Sequence, residues 1–264
     1  MLRVEISKAF HRPRTYVLAV LLAAVAVLPA IVLATTNDAG GGPPFFDLIR
    51  RNGLFAALAA LVIIQPFILP LGAGLLSGEA IAAEASGGTL RYLLVRPVGR
   101  ARLVVAKFAS VMALLAGAVV WVMVVGVIAG GIAFGYGPLP TLSGTTIGAG
   151  ASFARMALSA GYVVAGIAGL AAIGVFISTL TESAPGAAIA TVGLAVVSQI
   201  LDGLTSLHAI HPYLLSHHWL AFSDLFRSPI AWDGMRHGIV VFVVYTGLFL
   251  GAALAFFSRK DVTS

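Results

Sequence analysis

The sequence predicts an all-α integral membrane protein with six transmembrane helices and both termini in the cytoplasm. Three observations lead to this prediction: the composition, the mean hydropathy and the length of the apolar stretches. The 264 residues are 59% hydrophobic and only 10% charged, and their mean hydropathy is +1.02. Six apolar stretches are long enough to cross a hydrocarbon core of roughly 30 Å. Soluble domains carry about one quarter charged residues, so a water-soluble globule is excluded. Intrinsic disorder is excluded as well, because it requires low hydrophobicity and high charge.

The apolar stretches define one transmembrane domain over residues 1–264. We expect the first span to be a retained helix and not a signal peptide, because it is longer than a signal-peptide core and five more spans follow. The chain has no cysteine, which excludes disulfides, thiolate nucleophiles and Cys-based metal sites. The predicted spans are 16–34, 54–76, 108–131, 156–179, 186–204 and 238–258.

The basic residues predict the orientation. With six spans, both termini share one side with the loop between the second and third spans. Eleven basic residues lie on that side: Arg3, Lys8, Arg12, Arg14, Arg91, Arg96, Arg100, Arg102, Lys107, Arg259 and Lys260. Five lie on the other: Arg50, Arg51, Arg155, Arg227 and Arg236. Cytoplasmic loops carry the excess of Arg and Lys, so both termini are predicted inside the cell. The net charge of +6 then reflects topology and not nucleic-acid binding.

Residues 1–13 predict a short amphipathic helix. Leu2, Ile6 and Phe10 recur at four-residue spacing and share one face, while the basic residues point elsewhere. Such a helix can lie in the membrane interface with its cations near anionic headgroups. Pro13 would end it before the first span. An ordinary basic flank explains the segment equally well.

Residues 77–107 form the predicted cytoplasmic connection between the second and third spans. The segment starts like a helix, breaks at Gly87 and Gly88, and continues as an apolar and basic run. Thr89 can cap a short helix that Pro97 would end. Leucines beside arginines suit docking into a groove on a soluble partner. They suit equally a basic loop that stays at the membrane surface, so the residues alone leave both interpretations open.

This connection carries a spaced pattern: Glu79, Glu84, Gly88-Thr89-Leu90, Leu93-Leu94, Arg96-Pro97-Val98-Gly99-Arg100 and Lys107. The pattern resembles the cytoplasmic signature of ABC-2 type permeases, close to E…GTL…LL…P(V)(S/G)R…K. The end of the chain, an aromatic-rich helix followed by a basic-acidic pair, is also similar to the usual end of that family. The likeness in topology covers the whole chain, and the motif covers about thirty residues.

The resemblance implies the membrane subunit of an ATP-driven transporter, an exporter that works as two membrane domains and two ATPase domains. The chain would pair with a second copy of itself or a similar permease in the cell membrane. A separate nucleotide-binding subunit would bind ATP and Mg²⁺. In the family, this loop holds a coupling helix that seats on that subunit, beside the N-terminal interfacial helix. The residues carried over as partner-ATPase contacts are Glu79, Glu84, Gly88, Thr89, Leu90, Arg91, Leu93, Leu94, Arg96, Pro97 and Arg100.

The chain lacks the parts of an ATPase, since none of Lys8, Lys107 and Lys260 lies in a G-x-x-x-x-G-K-[ST] loop. We therefore expect no catalytic residue, no cofactor bound by this chain and no nucleic-acid partner. An intramembrane enzyme is disfavoured because the spans hold no H-E-x-x-H motif and no Ser–His pair. The alternative function is an ATP-independent secondary carrier or channel. This alternative lacks support, because the sequence places no ionisable residue at the membrane midplane and shows no visible inverted repeat.

Five of the six histidines fall in the predicted outer loop, 202–237, among many aromatic residues. Beside Asp224 and Asp233, they could bind Zn²⁺ or Cu²⁺. Their spacings match no recognised ligand motif, so we expect no metal. We expect instead a short interfacial or re-entrant helix around 214–226 that covers the outer mouth. The five are His208, His211, His217, His218 and His237.

Prolines and polar side chains mark irregular places within the spans. Pro66 and Pro70 predict a kink in the second span, and the glycines of the third to fifth spans indicate close helix packing. A mainly apolar path favours a hydrophobic or amphipathic cargo over a small ion. The few polar side chains within the spans are Gln65, Ser198, Gln199 and, near the end of the fifth, Asp202.

Overall fold

The computed structural model describes residues 13–35, 46–86 and 99–259, which are mostly helical. The helices are α1 (Pro13–Thr35), α2 (Phe46–Ile49), α3 (Leu54–Ile64), α4 (Ile68–Ser86), α5 (Arg100–Phe134), α6 (Ala149–Leu180), α7 (Ala184–Gly203) and α8 (Trp232–Arg259). A short antiparallel pair, β1 (Leu139–Pro140) and β2 (Thr146–Ile147), lies between α5 and α6. Three 3-10 helices between α7 and α8 cover Thr205–Leu207, His211–Tyr213 and Ala221–Phe226. The predicted interfacial residues Leu2, Ile6 and Phe10 lie outside the described residues.

Five of the described helices are long and apolar enough to cross a membrane: α1, α5, α6, α7 and α8. Helices α3 and α4 pass the same test as a pair, with a 56° bend between them. The chain is therefore a multi-pass membrane protein with five spanning helices, or six when the bent pair forms one span. Helix α5 extends furthest beyond its predicted span of 108–131, since it is 35 residues long.

The second predicted span is broken at residues 65–67, between α3 and α4. Pro66 lies in this break and Pro70 in the first turn of α4, so the kink predicted from them is confirmed. Pro66 has no N–H to donate back to α3, and Pro70 has none to donate to the carbonyl of Pro66. That carbonyl instead accepts a hydrogen bond of 2.9 Å from Nε2 of Gln199 on α7. A neighbouring helix thus satisfies backbone that the prolines leave open.

Small residues set the closest helix contacts. Gly78 of α4 lies against the backbone of Ala188 on α7, and Gly53, just before α3, lies against the backbone of Gly130 on α5. Side chains larger than hydrogen would hold these helices apart, and lipid offers no hydrophobic force to replace the lost packing. Helix α6 is bonded to α4 by the hydroxyl of Ser178, which donates to the Gly78 carbonyl at 2.8 Å. The bundle is therefore joined by backbone approach and polar contacts together.

Two polar contacts join α4, α5 and α8 at one end of the bundle, which we call the Arg100 end. Nη1 of Arg100, the first residue of α5, donates to the carbonyl of Ser258 near the end of α8 at 3.2 Å. Glu84, near the end of α4, forms an ion pair with Lys107 of α5. The three helices therefore begin or end together there.

Residues 204–231, which we call the cap segment, fold back into the opposite end of the bundle. The indole N–H of Trp219 donates to the carbonyl of Gly166 on α6 at 3.2 Å. The hydroxyl of Tyr162, one helical turn away, donates to the carbonyl of His218 at 2.9 Å. Both aromatic rings are almost fully buried. Residues 215–226 of the cap segment therefore belong to the packed core, while residues 204–210 are exposed.

Arg155 on α6 fixes the last part of the cap segment. Its Nη1 donates to the carbonyls of Leu225 at 2.7 Å and Arg227 at 3.1 Å. These carbonyls lie at the end of the 3-10 helix Ala221–Phe226, which falls within the stretch 214–226 where the sequence predicted a short helix. A charge on α6 therefore satisfies the end of a helix that covers the bundle.

Replacing Gly130 with alanine should destabilise the protein, because the added methyl group would overlap the carbonyl of Gly53. Overpacking of this kind costs about 1–3 kcal/mol. Thermal unfolding of the purified protein in detergent should give a lower Tm for Gly130→Ala. Gly117→Ala is the matched control on the same helix, because open space surrounds that position. Its Tm should stay the same or rise, and equal losses in both variants would contradict the close α3–α5 contact.

Candidate functional site

The predicted partner-contact segment leaves and re-enters the bundle at the Arg100 end. Glu79 and Glu84 lie on α4, and Arg100 begins α5. The structure therefore describes the two roots of the segment, α4 as far as Ser86 and α5 from Arg100. The other predicted contacts lie outside the described residues: Gly88, Thr89, Leu90, Arg91, Leu93, Leu94, Arg96 and Pro97.

An ion pair joins these two roots. Nζ of Lys107 donates to Oε1 of Glu84, and only 11% of the lysine and 21% of the glutamate side chain are exposed. Removing one partner of a mostly buried pair leaves the other charge poorly solvated, which is strongly destabilising. Arg100 adds a bond from the start of α5 to the end of α8. Side-chain contacts therefore connect both roots to each other and to the end of α8.

A polar cavity of about 260 Å³ lies beside the break in the second span. Three of the four polar residues that the sequence placed within the spans line it: Gln65, Gln199 and Asp202. The fourth, Ser198, shares a hydrogen bond of 2.7 Å with Ser216, which also lines the cavity. Gln199 and Asp202 are three residues apart on α7 and so share one face. The break, α7 and the cap segment therefore meet around one polar space.

The hydrogen bonding of Gln65 is the most informative feature of this cavity. Its side chain is fully buried, and neither its amide oxygen nor its amide nitrogen has a hydrogen-bond partner among the described residues. Leaving a buried amide unsatisfied costs about 1–3 kcal/mol. Native proteins rarely leave such groups without a partner, and the partner of such a group can be an ordered water, an ion or a ligand. A ligand with a polar group could bond to this amide from the cavity.

Two histidines and one carboxylate meet where α7 joins the cap segment. Nδ1 of His217 lies 2.6 Å from Oδ1 of Asp202, and Nδ1 of His211 lies 3.9 Å from the same oxygen. The sequence offered Asp224 and Asp233 as acidic neighbours of the histidines, whereas the carboxylate in this cluster belongs to Asp202. Three potential ligand atoms are thereby grouped next to the polar cavity, because Asp202 belongs to both.

His218 lies beside this cluster but serves the core of the cap segment. Its ring stands edge-on to that of His217, and its Nε2 donates to the carbonyl of Pro212 at 3.1 Å. Burial lowers the pKa of His218 from the ordinary value of 6.5, and the bond to Pro212 only partly offsets this effect. The ring is therefore neutral at neutral pH and structural.

A family match decides which class of membrane protein this is. The sequence model of a family described as ABC-2 family transporter protein matches residues 1–198, which contain the first four predicted spans, most of the fifth and the whole connection 77–107. The chain belongs to the ABC-2 transporter family. The resemblance carried by the motif between Glu79 and Lys107 is thereby confirmed. ABC-2 permeases are the membrane components of ABC transporters and are not themselves ATPases, which fits a chain without a phosphate-binding loop.

Two curated relatives agree with this family. The "Probable ABC transporter permease protein NosY" of Pseudomonas aeruginosa is 45% identical over 53 residues. The protein of the same name from Stutzerimonas stutzeri is 43% identical over 53 residues. Each match covers 20% of this chain and 19% of the relative, so the chain spans about a fifth of the length of the curated relatives it matches. Both names describe ABC transporter permeases.

The structure adds two residues, Lys107 and Ser216, to those that the sequence had assigned to candidate sites. Lys107 closes the motif in the sequence, but only the fold identifies Glu84 as its partner. A usable signal was present, since opposite charges stood near the two ends of one loop. Ser216 joins the polar cavity from the cap segment. Nothing in the sequence marked it, because its place depends on how the cap segment folds back.

Two glutamine variants should have opposite effects on stability. Gln65→Leu removes an unsatisfied buried amide, so we expect the Tm in detergent to stay the same or rise, by the equivalent of about 1 kcal/mol. Gln199→Leu removes the donor to the Pro66 carbonyl and should lower the Tm by a similar amount. Differential scanning fluorimetry of both variants measures the contrast. A lower Tm for Gln65→Leu than for Gln199→Leu would contradict the assignment of the two amides.

Proposed function

We propose that the chain is the permease subunit of an ATP-driven exporter, which forms the translocation pathway as a dimer. A separate nucleotide-binding subunit binds and hydrolyses ATP with Mg²⁺. The observation that carries this proposal is the motif connection 77–107, whose two roots are joined to each other and to α8 in a chain of the ABC-2 family. The chain's partners are then that ATPase, a second copy of itself or a similar permease, and the lipid bilayer.

In this proposal the Arg100 end faces the cytoplasm, as the excess of basic residues in the segments assigned to it predicts. The course of α1 supports placing both termini there. Ala19 of α1 accepts a hydrogen bond from the indole of Trp121 on α5, and residues 27–34 line one groove with residues 125–133. Helix α1 therefore runs in the same direction as α5, which begins at the Arg100 end. The last spanning helix, α8, finishes at that end.

The roots of the connection suggest how ATP binding is coupled to transport. Closure of the ATPase subunits would displace the docked connection. The Glu84–Lys107 ion pair and the bond from Arg100 to Ser258 would pass this displacement to α4, α5 and α8. Helix α4 leads directly to the break at 65–67, where a bent span can change its angle without unwinding. Access to the polar cavity beside the break would then alternate between the two sides.

The cavity supports an amphipathic cargo. The bundle around it is apolar, while Gln65, Gln199 and Asp202 place polar atoms on its wall. The buried amide of Gln65 offers an NH₂ group as donor and a carbonyl oxygen as acceptor to a polar group of the cargo. A molecule with an apolar body and one polar group would fit both surroundings.

The alternative, an ATP-independent carrier or channel, is separated from this proposal by one experiment. The chain is reconstituted in liposomes with and without its nucleotide-binding partner, and ATP hydrolysis and ATP-dependent efflux of amphipathic dyes are measured. The exporter requires that the partner's ATPase activity changes on assembly and that efflux needs ATP. Equal flux without the partner or without ATP would favour the carrier or channel.

Charged residues in the predicted coupling helix should uncouple the transporter. We expect Leu93→Asp with Leu94→Asp to abolish co-purification with the ATPase and ATP-dependent transport, because a groove that receives leucines cannot solvate carboxylates. The matched control is Leu142→Asp. It introduces the same charge at an exposed leucine in the turn between β1 and β2, outside the spanning helices and away from the connection. Co-purification is measured by affinity capture of the ATPase from detergent extracts. Undiminished capture with the Leu93 and Leu94 variant would refute this docking face.

A charge exchange tests the coupling role of the ion pair. Glu84→Lys and Lys107→Glu each place two like charges together, so each should lower the Tm and reduce the ATPase activity of the assembled complex at least tenfold. The double exchange restores opposite charges and should recover much of both properties. The measurement is ATP hydrolysis by the reconstituted complex, with the Tm as a control for folding. Independent, additive losses in the double variant would contradict a direct pair.

A further inference from the structure

The cluster at the junction of α7 and the cap segment has the composition and geometry of a metal site. Its three potential ligand atoms, one each from Asp202, His211 and His217, all lie within 4.8 Å of one another. The exposed fractions of the side chains are 27% for Asp202, 15% for His211 and 38% for His217, so the cluster is half-buried and reachable from solvent. Asp202 lies in the last turn of α7, and both histidines come from the cap segment.

The orientation of His211 is the first argument for a ligand. Its Nε2 lies 3.2 Å from the carbonyl of Leu204. A carbonyl can only accept a hydrogen bond, so Nε2 carries the proton and, in the neutral ring, Nδ1 presents a lone pair. That lone pair faces Oδ1 of Asp202 at 3.9 Å. A backbone carbonyl that holds one nitrogen and frees the other for a cation is the usual outer support of a metal-bound histidine.

His217 completes the group from the other side. Its Nδ1 and Oδ1 of Asp202 are 2.6 Å apart, which requires a proton between them in the metal-free protein. When a cation binds to Nδ1, the proton of the neutral ring is transferred through solvent to Nε2. No net proton is then released from a neutral ring. The two atoms must move apart by under 1 Å, because two ligands of one Zn²⁺ at about 2.0–2.1 Å lie roughly 3.3 Å apart.

We propose that Asp202, His211 and His217 bind a divalent transition-metal cation, with Zn²⁺ as its simplest representative. Two imidazole nitrogens and one carboxylate oxygen are the ligand types of Zn²⁺ and its neighbours, whereas Ca²⁺ and Mg²⁺ prefer all-oxygen sites. The chain has no cysteine, so a soft thiolate site is excluded. This proposal does not rest on the transporter function, and it departs from the expectation from the sequence that the outer histidines hold no metal.

Three protein ligands leave one coordination position open, which distinguishes this site from closed four-ligand structural zinc sites. This open position would be close to the polar cavity, because Asp202 also lines that cavity with Gln65 and Gln199. Because the ligands come from α7 and the cap segment, a bound ion would clamp the cap segment to α7. The ion would therefore stabilise the packing at this end of the bundle.

Zinc binding by the full-length chain tests the proposal. The protein is purified in detergent with a tag that carries no histidine, stripped with a chelator, and titrated with Zn²⁺ by calorimetry. We expect one equivalent per chain and a rise in Tm on binding. His217→Ala and His211→Ala should each weaken binding at least tenfold. The matched control, His208→Ala, removes an exposed histidine of the same cap segment that is not one of the three ligands and should bind as the native chain does.

Asp202→Asn keeps the size of the side chain and can still accept a hydrogen bond from His217, so it tests the charge separately from folding. Its Tm without metal should stay near the native value, while Zn²⁺ binding falls at least tenfold. Cobalt(II) in place of zinc provides an independent readout, because a four-coordinate site made of two nitrogens, one carboxylate oxygen and one water gives strong visible absorption that the His217→Ala variant should lose. The proposal is overturned if the native chain binds no Zn²⁺, or if His208→Ala weakens binding as much as His217→Ala and Asp202→Asn do.

Discussion

The hydrogen bond from Gln199 to the carbonyl of Pro66 is the contact on which the functional half of the bundle depends. Backbone at membrane depth cannot obtain hydrogen bonds from lipid, so a span broken by two prolines requires a donor from another helix. Gln199 supplies that donor and thereby fixes α7 against the break. One turn later on the same face, Asp202 is carried to the cavity and to the histidines. One hydrogen bond thus connects the break to the helix that carries two cavity residues and one member of the ligand cluster.

The position of the cap segment depends on a second constraint, because the segment must pack closely against α6 and α8. The indole of Trp219 reaches the carbonyl of Gly166 because no side chain on that glycine stands between them. The hydroxyl of Tyr162 similarly occupies the space beside Gly238 on its way to the His218 carbonyl. Buried aromatic rings with satisfied polar atoms hold an irregular segment in an apolar bundle at little cost. Histidine orientations within the segment are set by the same packing.

The spans and the kink could be predicted from the sequence, because long apolar runs and the pair Pro66 and Pro70 act locally. The family could be recognised because all elements of its motif lie within one segment of about thirty residues. The candidate sites could be predicted only in part. Gln65, Gln199 and Asp202 stood out as polar residues in apolar runs, but their meeting depends on how α3, α4 and α7 pack. The carboxylate beside His211 and His217 was missed for the same reason, since turns between residues 204 and 217 determine which acid they face.

Helix α5 is 35 residues long, and at 1.5 Å per residue it measures about 52 Å, against roughly 30 Å of hydrocarbon. The helix is therefore longer than the hydrocarbon layer that it crosses. A tilt of about 10° around one tip moves the other by roughly 9 Å. The tip at Phe134 is clasped to the start of the broken span, because the N–H of Gly53 donates to the carbonyl of Gly135 at 3.0 Å. Under the proposed coupling, a displacement at Arg100 would reach the opposite face of the membrane through one continuous helix.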